Sequence, residues 1–233
     1  MIKICFVLYF LIFSFETFSL NIKVRFAATQ WCPYTCKDMA NQGIVSNLIR
    51  KRLEKNNIGM TIDFLPWKRA IKSVQTGEND ALLTVVLEEA PSLSFTTVPT
   101  MSYRVCLFSG NSKIEEIKNI TQLSKKRIGI ASQYGYGAPF DKYILENKNN
   151  KDRILTLFGG NLVSRFILLT QKKRISYFLE DENVVNFYRK KIKSTFCTKK
   201  NPFFIGFSPL YINKEKLIKI LDDEALREDF SRN

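Results

Sequence analysis

The side chains able to carry chemistry in this sequence are carboxylates and cysteines, because its 233 residues include no histidine. That absence removes every Ser-His-Asp and Cys-His mechanism, since each needs an imidazole to carry the proton. Acids close two apolar stretches: Glu88 and Glu89 follow one, Glu180 and Asp181 the other. Carboxylates serve as general acid and base when their surroundings push their pKa values apart. Nothing in the sequence itself shows two of these groups converging. Of the five cysteines, Cys5 lies in the apolar N-terminal run, which leaves Cys32, Cys36, Cys106 and Cys197. Such a set allows three disulfide connectivities. The short Cys32–Cys36 interval favours a small local loop, and Cys106 pairs with Cys197 if the strands carrying them are neighbours. The spacing is wrong for a cysteine zinc site, and no metal or cofactor is expected.

The elements that must position these groups begin after a leader. Lys3, an apolar run from Ile4 to Phe15, Glu16 and small residues at Thr17 and Ser19 have the layout of a cleavable export signal. The run is short of the ~20 residues that span a bilayer, and Cys5 is too early to accept a lipid. Residues 1–19 are therefore expected to be a signal peptide, with a periplasmic mature chain starting near Leu20, a compartment that suits disulfides. The net charge of +14 survives cleavage, because Lys3 and Glu16 cancel. Lys51, Lys55, Lys72, Lys125, Lys126, Lys172, Lys190 and Lys199 are scattered. This is a solvated basic surface rather than a nucleic-acid stripe.

From Lys23 on, strand and helix patterns alternate. Val24–Ala28 reads as a strand, and Ile44, Val45, Leu48, Ile49 and Leu53 recur at helical spacing. Met60–Leu65 reads as a strand stopped by Pro66, followed by a helix with Trp67, Ala70, Ile71 and Val74 inside. Ala81–Leu87 is a third, nearly all-apolar strand. The pattern returns with Arg127–Ala131, Ala138–Lys148, Ile154–Phe158, Leu162–Lys173, Ile175–Leu179 and Val184–Lys191. Apolar strands separated by helices predict α/β lobes on parallel sheets. A last strand, Phe203–Phe207, and a helix from near Lys214 would return to the first lobe. The expected division is 20–101 for lobe one, 102–201 for lobe two and 202–233 for the return. Ligands of such sheets bind beyond the strands' C-terminal ends, here a cleft that closes by hinge motion.

In order and spacing, a series of segments resembles the family 3 extracellular solute-binding proteins, the periplasmic receptors of polar amino-acid ABC transporters. They are Trp31-Cys-Pro-Tyr34, Gly43-Ile-Val-Ser-Asn-Leu-Ile49, Leu65-Pro-Trp-Lys-Arg-Ala-Ile71, Gly77-Glu-Asn-Asp-Ala-Leu-Leu83 and Glu89-Ala-Pro-Ser-Leu-Ser-Phe95. Arg127-Ile-Gly-Ile130, Tyr134-Gly-Tyr-Gly137, Arg174 through Asp181 and Ile205-Gly-Phe-Ser-Pro209 complete the series. The resemblance implies a two-lobed, type II periplasmic-binding-protein-like fold with the ligand in the interlobe cleft. It implies aromatic contacts at Trp31 and Trp67, with Tyr34 either touching the ligand or bracing its loop. It also implies a polar contact at Thr84 and Val85, ending the third strand. Tyr134 and Tyr136 lie in a stretch that either offers N–H groups to an anion or is a plain turn. Asp181 either pairs with a ligand ammonium or caps a helix, with Glu180 as the substitute. The implied partners are a small polar solute and an inner-membrane ABC permease, with the protein acting as a monomer.

Two departures stand out. Family members place a carboxylate-clamping arginine shortly after the third strand, where this chain has Leu87-Glu-Glu-Ala90. A carboxylate there repels an α-carboxylate, so either the solute is not an ordinary α-amino acid or Arg104 or Arg69 clamps from elsewhere. The chain also ends soon after Leu226, leaving lobe one less covered than in the family. The alternatives are a sensory or interaction module that keeps the fold, and a dehydratase-like enzyme using the acids above.

Overall fold

Apolar runs that do not alternate need cover on both faces, and the chain meets this by building two sheets, each flanked by helices. The computed structural model describes residues 22–111, 113–132, 134–189 and 192–230. The expected signal peptide at 1–19 lies outside the described residues. The first part of the chain forms β1 (Lys23–Ala28), α1 (Ile44–Glu54), β2 (Gly59–Phe64), α2 (Trp67–Gln75), β3 (Ala81–Val85), β4 (Ser94–Phe95) and β5 (Met101–Tyr103). There follow β6 (Val105–Ser109), β7 (Ile128–Ala131), α3 (Phe140–Asn147), β8 (Ile154–Leu157), α4 (Leu162–Gln171), β9 (Tyr177–Asp181), α5 (Glu182–Tyr188) and β10 (Lys193–Cys197). The return is β11 (Asn201–Phe207) and α6 (Lys214–Phe230). No helix among the described residues is long and apolar enough to cross a membrane.

One lobe holds the sheet β2-β1-β3-β11-β4, with β5 also on β11, and the other holds β10-β6-β9-β7-β8. The two-lobed α/β architecture expected from the sequence is present, but its sheets are mixed rather than parallel. β1 runs parallel to β2 and β3, and β7 to β8 and β9. β11 runs antiparallel to β3, and β6 antiparallel to both β9 and β10. The parallel rule binds strands joined through a helical crossover. β6 and β11 are instead the strands by which the chain enters the second lobe and returns to the first.

β9 starts and ends two residues later than Ile175–Leu179, because its partners set its extent: Ile128 pairs with Tyr177 and Val105 with Asp181. A two-residue shift keeps every side chain on its face, and it carries Glu180 and Asp181 onto the strand's C-terminal end. Both expected disulfides are present, Cys32–Cys36 and Cys106–Cys197. The second joins residues directly opposite in the β6–β10 pairing. α6 covers lobe one more fully than expected. Leu217 and Leu221 are buried in the core, and the Asp222 carboxylate accepts the N–H groups of Thr97 and Val98.

Candidate functional site

The C-terminal ends of β1, β3, β7 and β9 and the loops beyond them meet between the lobes. Thr29 and Trp31 after β1, Trp67 at the start of α2, Thr84 in β3 and Glu89 beyond it face Tyr134, Gly135, Tyr136, Glu180 and Asp181 of lobe two. With Val86, Tyr103 and Val105 they enclose a cavity of about 60 Å³. A wider cavity of about 500 Å³ shares Thr29, Trp31, Trp67, Tyr134 and Glu180 and runs out past Pro66, Leu157 and Phe158.

Trp31 is held by its own short loop. Its N–H donates to the Thr35 carbonyl at 2.7 Å, the Tyr34 N–H donates to the Trp31 carbonyl at 2.9 Å, and the Cys32–Cys36 bond closes the same turn. Its ring lies 4.4 Å from Tyr34, 5.8 Å from Tyr103 and 6.0 Å from Phe203, centroid to centroid. Edge and tilted arrangements of this kind lock ring orientation. Trp67 opens α2 directly after Pro66, packs against Ala27 and Ala70, and donates its indole N–H to Glu89 Oε1 at 3.3 Å. Thr84 has φ +58°, a left-handed conformation that a β-branched residue adopts at a cost of about 1–3 kcal/mol. Its hydroxyl donates to the Leu83 carbonyl at 2.7 Å, which leaves the oxygen lone pairs at the cavity as acceptors.

Adjacent acids have different situations. Asp181 Oδ1 accepts the N–H groups of Asn183 and Val184 and the Tyr34 hydroxyl, while Oδ2 accepts the Arg104 N–H. It borders the cavity, yet it works as the N-cap of α5 and as a strap to the first lobe. Glu180 is 5% exposed, faces both cavities, and takes the Asp181 N–H at 2.9 Å. Burial raises its pKa to about 7, against the pull of that N–H and of the Trp31 indole. Burial likewise raises Glu89 and Asp181.

The stretch Tyr134–Gly137, read from the sequence either as a source of N–H groups for an anion or as a plain turn, has spent two of them on one of the chain's own carboxylates. The N–H groups of Tyr136 and Gly137 go to the two Asp141 oxygens at 2.8 Å each. A Cβ on Gly135 would sit 3.0 Å from Glu89 Oε1, so glycine there permits the approach of this carboxylate. The Tyr34–Asp181 and Asn183–Tyr34 hydrogen bonds cross from one lobe to the other, and Glu89 meets Gly135 across the cleft.

Of the expected site residues, Trp31, Trp67, Thr84, Tyr134, Tyr136 and Asp181 come together around one cavity. Tyr34 and Val85 do not line it. Tyr34 is wholly buried behind Trp31, donating to Asp181 and accepting from Asn183 at 2.8 Å, which is the bracing role. The Val85 side chain packs in the cluster of Ala27, Trp67 and Leu82; the left-handed backbone at Thr84 interrupts the alternation of β3, so Val85 shares a side with Leu82 rather than with Leu83. Neither Arg69 nor Arg104 reaches the cleft to replace the missing arginine; Arg104 is paired with Glu182. Sequence reasoning did not assign Tyr103 or Thr29 to the site. Tyr103 sits on a three-residue strand with no periodicity to reveal its face. Glu89 was marked as one of the available acids and as part of the departure after the third strand, and that departure was the signal.

No protein-family model matches the chain, and no curated protein matches it in sequence. Solved structures do share its shape. An ancestral arginine-binding protein bound to arginine aligns with TM-score 0.67 at 17% identity, over 90% of this chain and 95% of that one. The amino acid ABC transporter substrate-binding protein AbpA of Streptococcus pneumoniae, bound to L-arginine, gives 0.67 at 12%, over 89% and 90%. An ancestral amino acid-binding protein, described as a precursor of cyclohexadienyl dehydratase, gives 0.65 at 15%, over 89% and 90%. The resemblance read from the sequence is thus borne out in the fold: this chain has the two-lobed architecture of amino-acid ABC-transporter substrate-binding proteins, with a widely diverged sequence.

Proposed function

We propose that the protein is an exported, monomeric solute-binding protein that encloses a small polar solute between its lobes and presents it to an inner-membrane ABC permease. The observation that carries this reading is the interlobe cavity, where aromatic rings and buried polar groups from both lobes converge. Recognition sites of this kind combine apolar walls with a few placed polar groups. The contacts crossing the cleft supply a closed state that a bound solute would stabilise, with the segments near Tyr103 and Asn201 as the hinge. Thermal melting and calorimetric titration of the purified protein against a panel of small solutes test the reading. A raised melting temperature without turnover supports it, and affinity that survives both Trp31→Ala and Trp67→Ala excludes this cleft as the site.

A catalytic reading has one observation in its favour: Glu89 and Glu180, both raised by burial, face a single cavity from opposite lobes. Turnover of a bound compound that is abolished by Glu89→Gln or Glu180→Gln would favour the enzyme over the receptor.

A further inference from the structure

A ligand carboxylate enclosed between the lobes needs a cation or a set of free N–H groups. The cleft supplies neither from the sources that the sequence singled out. No lysine or arginine is among the described residues lining either cavity. The N–H groups of Tyr136 and Gly137 are taken by Asp141, and Glu89 Oε1 lies close against Gly135. The Glu89 carboxylate therefore already occupies one place an anionic ligand group would take. What the cavity lacks is positive charge. Glu89, Glu180 and Asp181 border it together with the rings of Trp31, Trp67 and Tyr103, and aromatic faces attract a desolvated cation. Burial holds all three carboxyls above their ordinary range, a penalty that a cation placed among them would relieve.

We infer that the solute is a small organic cation without a carboxylate, an amine or alkylammonium whose head is enclosed by Trp31, Trp67 and Tyr103 and paired with Glu89 and Glu180. The inference rests on the reading of this cleft as a solute site. The inner cavity of about 60 Å³ suits a head of a few heavy atoms, having room for about four to six waters at roughly 10–15 Å³ each. The adjoining cavity of about 500 Å³ would take a tail, along Leu65, Pro66 and Leu157.

The decisive probes are pairs differing by one carboxylate: agmatine against L-arginine, and cadaverine against L-lysine. Tetramethylammonium, L-glutamine and L-glutamate complete the set, titrated calorimetrically at neutral pH into the purified protein. At least one amine is expected to bind about tenfold or more tighter than its carboxylated partner, and E89Q and E180Q should each weaken it by about tenfold. If the amino acid of each pair binds as tightly as its amine, or only a zwitterion or anion binds, the cation inference fails while the solute site stands. If no compound of any charge binds, both readings fail.

Discussion

Over the whole chain lysine and arginine outnumber acids by 36 to 22, whereas the walls between the lobes carry Glu89, Glu180 and Asp181 and, among the described residues, no lysine or arginine. The two regions obey different physics. Surface charges are solvated and are screened beyond about 8–10 Å at moderate salt, so they set solubility and encounter rates rather than the chemistry of a site. Inside the cleft, burial strengthens each interaction, and a carboxyl must either be satisfied by N–H groups or wait for a partner. Asp181 exemplifies the first state and Glu180 the second, although they are neighbours in sequence. Net charge alone would have suggested an anionic solute; the cleft argues for a cation.

The comparison is broken most heavily by releasing a cleft wall. Val105 and Asp181 are held by β6, which the Cys106–Cys197 bond ties to β10 across 91 residues of sequence. Replacing both cysteines with serine is expected to cost about 2–5 kcal/mol in a denaturant melt. A loss below about 1 kcal/mol would mean that the sheet pairing alone holds the wall.

Removing an aromatic face comes next. Trp31→Ala deletes the ring contacts to Tyr34, Tyr103 and Phe203 and a donor to Glu180. Solute affinity should fall by about a hundredfold, as expected of a buried tryptophan anchor. Trp31→Phe should recover part of it in the same titration.

Glu180 gives the cleft a pH dependence that the surface lacks. Its pKa is raised to about 7 in the folded protein, so the fold favours the protonated form. The contribution is fully present below the ordinary glutamate range and is lost as pH rises through about 7. The unliganded protein should therefore lose on the order of 3 kcal/mol of stability between about pH 5 and pH 8. Asp181, Tyr134, Tyr136 and Tyr188 face the same carboxyl; none supplies a positive charge to oppose the trend. Glu180→Gln should flatten the profile measured by chemical denaturation. A bound amine should reverse it, binding tighter as Glu180 ionises.

The smallest effects belong outside. Lys126 pairs with Glu115 at the surface, and Lys126→Ala should change stability by less than about 1 kcal/mol and leave solute affinity untouched. A large affinity change there would show that long-range charge reaches the cleft after all.

Much of the fold was legible because burial on both faces leaves largely apolar runs, and Ala81–Val85 and Ile128–Ala131, buried at every residue, are such runs. Trp67 and Thr84 were legible as residues facing the cavity because each ends or begins an element at the cleft-facing edge. Tyr103 was not, since its short strand carries no period. Val85 was assigned to the site alongside Thr84, and only the packing of its side chain beside Leu82 and Trp67 separates them. Whether Asp181 or Glu180 faced the solute could not be read either, because both lie where a strand turns into a helix.

Cys106–Cys197 waited on β6 and β10 being neighbours, but the sequence by itself pointed to the two-lobed α/β plan, the local Cys32–Cys36 pair and the absence of a carboxylate-clamping arginine after the third strand. These depend on residue type and local spacing, which a linear chain displays directly. The tertiary structure alone decided that Glu89 accepts the Trp67 indole N–H beside Gly135 of the opposite lobe, that the N–H groups of Tyr136 and Gly137 are already spent on Asp141, and that Asp181 straps the lobes together while Glu180 accepts the Asp181 N–H. Each of these is a hydrogen-bond pairing whose partner is chosen by packing in three dimensions, and such choices leave no periodic trace in the chain.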